Sequence, residues 1–224
     1  MTRNLCLFDL DDTLLPIDSD HAWGDFMVGL GWVNELEFRR RNDAFFAQYQ
    51  AGQLNIHDYI FHASQPLRAR SAAELEAAHA RFMAEVITPH IKPQALDLVA
   101  GHQAQGDLVA MVTATNDFVT APIAKAFGIA HLLAVRLQRD ASGTMTGGID
   151  GTPSYREGKV LRVGQWLEQQ GARWQDFSRI SVYSDSLNDL PLLEVATEPV
   201  ATNPSAALEN LARERQWRIL KLFT

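Results

Sequence analysis

Cysteine is nearly absent from this sequence: Cys6 stands alone among 224 residues. An internal disulfide is thereby excluded, and the expected setting is a reducing one such as the cytoplasm. Cys6 itself, inside an apolar run, reads as a small buried hydrophobe. Long hydrophobic runs are missing too. No stretch reaches the roughly 18 apolar residues of a spanning helix, and acidic residues from Asp9 onward leave no room for the apolar part of a secretory signal. Positive charge is scarce, with 20 Lys and Arg against 27 Asp and Glu and a net charge of −7. That balance excludes the broad cationic surface that nucleic acid or an anionic membrane requires, although one local cation could still meet an anionic small molecule. Internal repeats and low-complexity segments are lacking. The seven histidines form no H-E-x-x-H pair, and His57 and His62 are five apart, wrong for one helical face. A phosphate loop is excluded as well: six residues instead of four separate Gly151 from Gly158-Lys159, and Val160 follows where Ser or Thr is needed.

What is present is a chain able to bury a large core, with 46% hydrophobic and 21% charged residues. Residues 4–10, 108–113, 132–137 and 179–183 are apolar at nearly every position, and 199–202 and 217–222 are weaker runs of the same kind. Unbroken apolar runs predict strands buried on both faces, as in a parallel sheet covered by helices. Between them helices are expected over 93–105, over 120–127 before Gly128, and over 159–170 before Gly171. A last one, over 205–214, would be entered through Asn203 as N-cap and Pro204 in the first turn. The alternation predicts an α/β fold, a doubly wound and mainly parallel sheet with helices on both faces. Residues 16–90 break the rhythm. They hold no strand-like run but plentiful helix signals: 20–30, 35–49, and the capping box Ser71-Ala72-Ala73-Glu74 opening 75–87. An all-helical subdomain over 16–90 is therefore expected inside an α/β core made of 1–15 and 91–224. Phe38, Phe45, Phe46 and Tyr49 lie at helical spacing and read as that subdomain's own core, while 138–155 reads as a hairpin or flap.

Four short features fall just after strands or between sheet elements: Asp9-Leu10-Asp11-Asp12-Thr13, Thr113-Ala114-Thr115-Asn116, Glu157-Gly158-Lys159 and Ser184-Asp185-Ser186-Leu187-Asn188-Asp189. In an open parallel sheet the carboxyl ends of the strands share one edge, where ligands bind. Asp9, Asp11, Asp185 and Asp189 would meet there, and so many carboxylates in one crevice cannot all stay ionised without a cation. Oxygen-only ligands suit Mg²⁺, which takes one or two carboxylates and leaves room for a phosphate. Thr113 and nearby amides offer hydrogen bonds to phosphate oxygens and Lys159 a point charge, an assembly fit for phosphoryl transfer.

In this order the four features resemble motifs I to IV of the haloacid dehalogenase superfamily, and the helical insertion resembles the cap of that superfamily. YSDSLNDLPLL over 183–193 and the capped organisation look most like its phosphoserine-phosphatase-like branch, subfamily IB. The resemblance runs from Leu5 to about Ile219. It implies Asp9 as nucleophile, forming an aspartyl-phosphate, and Asp11 as the acid that protonates the leaving alcohol and then deprotonates the attacking water. It implies Mg²⁺ held by the Asp9 side chain, the Asp11 carbonyl and Asp185, with Thr113 binding the phosphoryl group and Lys159 neutralising charge. Asn188 and Asp189 would support, Asp189 by holding a metal-bound water or orienting Lys159, and Thr13 would tie down the loop. One departure is Asp12, where the family commonly has glycine; its side chain is expected to point out of the site.

The implied activity is Mg²⁺-dependent hydrolysis of small soluble phosphomonoesters. A dehalogenase would need no acid at Asp11; a phosphotransferase sharing the first step and a non-catalytic phosphate-binding module are the alternatives. Past the first motif, Asp18, Asp20 and Trp23 are candidates to face a cationic group, favouring substrates such as phosphoserine or histidinol phosphate. The competing reading is that Asp18 and Asp20 only cap a helix. For phosphoserine, whose carboxylate also needs a partner, Arg68 or Arg70 of the insert are the candidates.

Overall fold

The structure is a computed structural model that describes residues 3–223. Its strands are β1 (Arg3–Phe8), β2 (Leu108–Asn116), β3 (His131–Val135), β4 (Leu137–Arg139), β5 (Met145–Ile149), β6 (Phe177–Ser184), β7 (Glu198–Thr202) and β8 (Arg218–Leu220). Six of them form one sheet in the order β3-β2-β1-β6-β7-β8, every neighbouring pair parallel. The antiparallel pair β4–β5 is the hairpin expected in the Gly- and Thr-rich stretch.

The helices are α1 (Ser19–Gly29), α2 (Glu35–Gln50), α3 (Ile56–Ala63), α4 (Gln65–Arg68), α5 (Ala72–Phe82), α6 (Pro93–Ala104), α7 (Asp117–Ala126), α8 (Glu157–Gln169), α9 (Leu190–Glu194) and α10 (Ala206–Glu214). The first five form the insert between β1 and α6, joined by a π-helical turn at Met83–Ile87 and a 3₁₀ turn at Thr88–His90.

Continuous apolar strands are explained by two cores, one per face of the sheet. Cys6 and Phe8 of β1 pack with Val109 and Met111 of β2, with α6 and α7, and with the insert through Trp23, Met27 and Phe82. Leu5 and Leu7, pointing the other way, pack with Ala110 and Val112, with Val163 and Leu167 of α8, and with Leu193 and Leu208. Each such side chain contributes about 1.5–3 kcal/mol by leaving water, so neither face tolerates a polar residue by default.

Strand ends differ from the periodic reading. β1 stops at Phe8 because the carbonyl of Leu10 already accepts from the amides of Thr13, Leu14 and Leu15 at 3.2, 2.8 and 3.0 Å. Leu10 is buried in a turn instead of a strand, and an apolar residue looks alike in both. The entry to α10 is also corrected: its N-cap is Ser205, whose side chain accepts from Leu208 N, while Asn203 sits at φ 45° and bonds elsewhere.

Candidate active site

The carboxyl ends of β1, β2 and β6 lie side by side, and the first residue past β1 is Asp9. Its amide extends the ladder by donating to Tyr183 O at 2.9 Å, which fixes its carboxylate at the sheet edge. Lys159 arrives on the first turn of α8. That turn packs so closely on Pro153 that a Cβ at Gly158 would collide with the Pro153 carbonyl, so the glycine of the Glu157-Gly158-Lys159 motif is a packing requirement. The Lys159 ammonium lies 3.0 Å from Asp9 Oδ1 and 2.6 Å from Asp189 Oδ2, and Ser184 Oγ donates to the same Asp189 oxygen at 2.8 Å. Asp189 is delivered by a 3₁₀ turn, Leu187–Asp189, with its carboxylate engaged in holding the lysine.

Asp11 is clamped from two sides: Oδ1 accepts from Ser19 N at 2.7 Å and Oδ2 from Thr115 Oγ1 at 2.8 Å. Burial, with the Asp18 carboxylate adding to it, pushes its pKa up to about 7. Thr113 is buried beside it, its hydroxyl accepting from Thr115 N at 3.1 Å. Thr13 Oγ1 donates to Asp185 Oδ1 at 3.2 Å. Burial first, then Asp189 and Asp12, push Asp185 up to about 8. Burial also raises Asp9; Lys159 opposes the rise, while the carboxylates of Asp189, Asp185 and Asp11 add to it. Asp12 is exposed and is among the residues lining the cavity, and its φ of 54° explains why glycine suits that position.

Of these groups Asp9, Asp11, Asp12, Thr113, Thr115 and Asp185 line the floor of a cavity of about 690 Å³ between sheet edge and insert, while Lys159, Asp189, Thr13 and Ser184 are fully buried beneath it. On the insert side Phe45, Phe46 and Tyr49 line it together with Asp18, Asp20 and Tyr59. The expectation that the aromatic row is core thus holds for Phe38, which is buried, and is corrected for the other three. α2 presents two faces, and periodicity alone does not say which face meets a cavity. Asp18 is the N-cap of α1, accepting from Asp20 N and His21 N at 3.0 and 2.8 Å, and also lines the cavity. Asp20 is no cap: it accepts from Tyr59 OH at 2.6 Å and from Asn116 Nδ2 at 3.5 Å. Burial pushes Asp20 up to about 7, with Tyr59 opposing.

Three expectations fail. Trp23 is 2% exposed and packed among Phe26, Trp32, His79, Phe82 and Phe118, so it is core and faces no ligand. Arg68 donates to Thr146 O and Phe61 O and stacks 4.4 Å over Phe61. Arg70 lies 5.0 Å over Trp32. Neither lines the cavity, and among the described lining residues there is no Lys or Arg. Asn188 serves the insert: its Nδ2 donates to Tyr49 O at 2.9 Å. The sequence reading overlooked Thr115, Ser19 and Tyr59. Thr115 stood inside a quoted motif, but Tyr59 carried no local signal.

Among the described residues no three His, Cys, Asp or Glu side chains converge as a metal cage. The carboxylates of Asp9 and Asp185, which line one cavity in a buried cluster of acids with one lysine, are nevertheless a donor set that fits Mg²⁺, which keeps waters and needs few protein ligands.

The sheet order, with a helical insert behind its first strand, defines an α/β class of protein with an inserted helical subdomain. Residues 6–194 match the haloacid dehalogenase-like hydrolase family, and the chain belongs to it. Among individual proteins it is 42% identical over 218 residues, 97% of this chain and 98% of the other, to the histidinol-phosphatase of Neisseria meningitidis serogroup C (strain 8013). A solved protein of unknown function from Bordetella pertussis Tohama I superposes with a TM-score of 0.94 at 50% identity over 100% of both chains. A substrate-bound phosphoserine phosphatase shares the fold at 18% identity and a TM-score of 0.66, over 98% of this chain and 93% of that one.

Proposed function

We propose that this protein is a Mg²⁺-dependent phosphatase of small phosphomonoesters, acting through an aspartyl-phosphate on Asp9, with an amine- or imidazole-bearing alcohol as the preferred leaving group. The observation that carries the reading is that Asp9, paired with the buried Lys159 and through it with Asp189, lines one cavity floor together with an Asp11 held by Ser19 and Thr115.

In the first step an Asp9 carboxylate oxygen attacks phosphorus, the new O–P bond forms and the bond to the leaving oxygen breaks. Lys159, already paired with Asp9, offsets charge on the phosphoryl group, and the Thr113 hydroxyl faces its oxygens. Asp11 starts protonated, as a pKa of about 7 allows, and passes its proton to the leaving alkoxide. It then takes a proton from the water that attacks phosphorus, and Asp9 is released. Asp9, Asp185 and the Asp11 carbonyl would hold Mg²⁺, which supplies positive charge to the phosphoryl oxygens. Residues 16–90 serve as a cap that excludes water and reads the alcohol.

The leaving-group preference is supported by Asp20, fixed by Tyr59, in a cavity whose described lining has six aspartates and no Lys or Arg. A carboxylate-bearing alcohol such as serine finds no partner there, whereas an imidazolium does. The name of the Neisseria relative agrees with this preference. The test is release of inorganic phosphate from histidinol phosphate, phosphoserine and an aryl phosphate, each with Mg²⁺ and with excess chelator. Metal-dependent hydrolysis, fastest at low concentration for histidinol phosphate, is expected; full activity in chelator sinks the magnesium site, and a preference for phosphoserine sinks the leaving-group assignment. Asp20→Asn should raise KM severalfold for histidinol phosphate only.

A further inference from the structure

After β8 the chain stays at the site. Residues 221–223 follow β8 directly, and Phe223, half-buried, lines the cavity. What seats them is Asn203, just past β7. Every hydrogen-bonding end of its amide is engaged: Oδ1 accepts from Leu222 N at 2.7 Å and Phe223 N at 3.2 Å, and Nδ2 donates to Asp12 O at 2.9 Å and Thr13 O at 3.3 Å. Its own amide donates to Leu220 O at 2.7 Å.

One side chain therefore joins the segment carrying Phe223 to the loop that follows Asp9. From Thr13 the connection continues, hydroxyl to carboxylate, to Asp185. Both Asn203 and Asp12 are left-handed, at φ 45° and 54°. Such conformations cost of order 1–3 kcal/mol each at non-glycine residues and persist where surrounding bonds over-determine them. Here the two strained residues are bonded to each other, and Asn203 fixes the direction of the Asp12 and Thr13 carbonyls.

We propose that Asn203 is a positioning residue for the loop bearing Asp11, Asp12 and Thr13, and that residues 221–223 form a wall of the leaving-group subsite in which Phe223 determines specificity. The inference rests on the phosphatase reading of the same cavity. A bare phosphate, fully charged and hydrated, has no apolar surface to set against the Phe223 ring. A planar or apolar leaving group gains that surface in addition to Phe45, Phe46 and Tyr49 on the insert side.

The test is calorimetric titration of wild type and Phe223→Ala, both loaded with Mg²⁺, using benzylphosphonate and inorganic phosphate as probes. Phe223→Ala is expected to weaken benzylphosphonate about tenfold and leave phosphate unchanged; equal weakening of both, or of neither, overturns the wall. Asn203→Asp keeps the acceptor for the Leu222 and Phe223 amides but turns an oxygen toward two carbonyls. It is expected to lower kcat on p-nitrophenyl phosphate about tenfold or more while KM moves about twofold or less. An unchanged kcat, or a fall matched by loss of folded protein in circular dichroism, overturns the positioning role. Absent turnover in wild type with the phosphonate difference intact would remove the phosphatase reading and leave the wall standing. Turnover without that difference would do the reverse.

Discussion

Replacing Lys159 by methionine keeps an unbranched side chain, one heavy atom shorter, and removes its charge together with its hydrogen-bond donors. In the folded protein this ammonium is 1% exposed and makes two charge-assisted bonds, to Asp9 at 3.0 Å and Asp189 at 2.6 Å. Breaking a buried ion pair by deleting one partner costs about 3–5 kcal/mol, because the other charge stays buried without compensation. Here two carboxylates are stranded, with Asp185 and Asp11 near enough to Asp9 to add to its repulsion. That loss compares with a typical total stability of about 5–15 kcal/mol. The cost should depend on pH. Burial already raises Asp9 above its ordinary pKa, and removing the lysine raises it further, so the variant takes up a proton as pH falls. Near pH 5.5 the penalty should then shrink to about 1–2 kcal/mol, the value of a polar group left short of a partner. Urea unfolding of the metal-free protein near pH 8 and near pH 5.5 measures both figures by extrapolation. An equal loss at the two pH values, or a loss under about 1 kcal/mol near pH 8, refutes the idea that charge at this triad governs stability.

Other outcomes are expected from the same geometry. Asp9→Asn should lower turnover at least ~10³-fold, about 4 kcal/mol of transition-state stabilisation, and leave the fold intact in circular dichroism, since Lys159 keeps Asp189 and one negative charge is relieved; retention of a tenth of wild-type rate contradicts a nucleophilic role. Asp11 and Asp20 are raised to about 7 and Asp185 to about 8, above the ordinary 3.8. The native state thus binds protons more tightly than the unfolded one, and metal-free stability should fall as pH rises from about 4 through 8. Added Mg²⁺ should flatten that fall in thermal melts, and a metal-free Tm that climbs toward pH 8 contradicts the sign. Trp23→Ala should cost about 3–5 kcal/mol of stability without altering the relative KM of histidinol phosphate and an aryl phosphate; a selective KM change would return Trp23 to the ligand side.

The sequence by itself determined the sheet and the floor of the site. A strand buried on both faces must be apolar throughout, so β1, β2 and β6 announce themselves, and an acid directly behind such a run stands out as a candidate site residue. Asp9, Asp11 and Asp185 were legible for that reason, Thr113 as the end of the second apolar run, and Lys159 only through the short Glu157-Gly158-Lys159 feature. The roof was not. In the insert each helix has a buried and an open face, and the spacing that makes Phe38 core also allows Phe45 and Tyr49 to line the cavity. A tryptophan near a cationic subsite and a tryptophan in a core read alike until neighbours are placed; the packing of Phe82 and Phe118 around Trp23 decides it. Asn203, Thr115 and Tyr59 act on residues 191, 104 and 39 positions away. Contacts at such separations leave no periodicity in the chain, and only the folding of the sheet and insert brings them within hydrogen-bond reach.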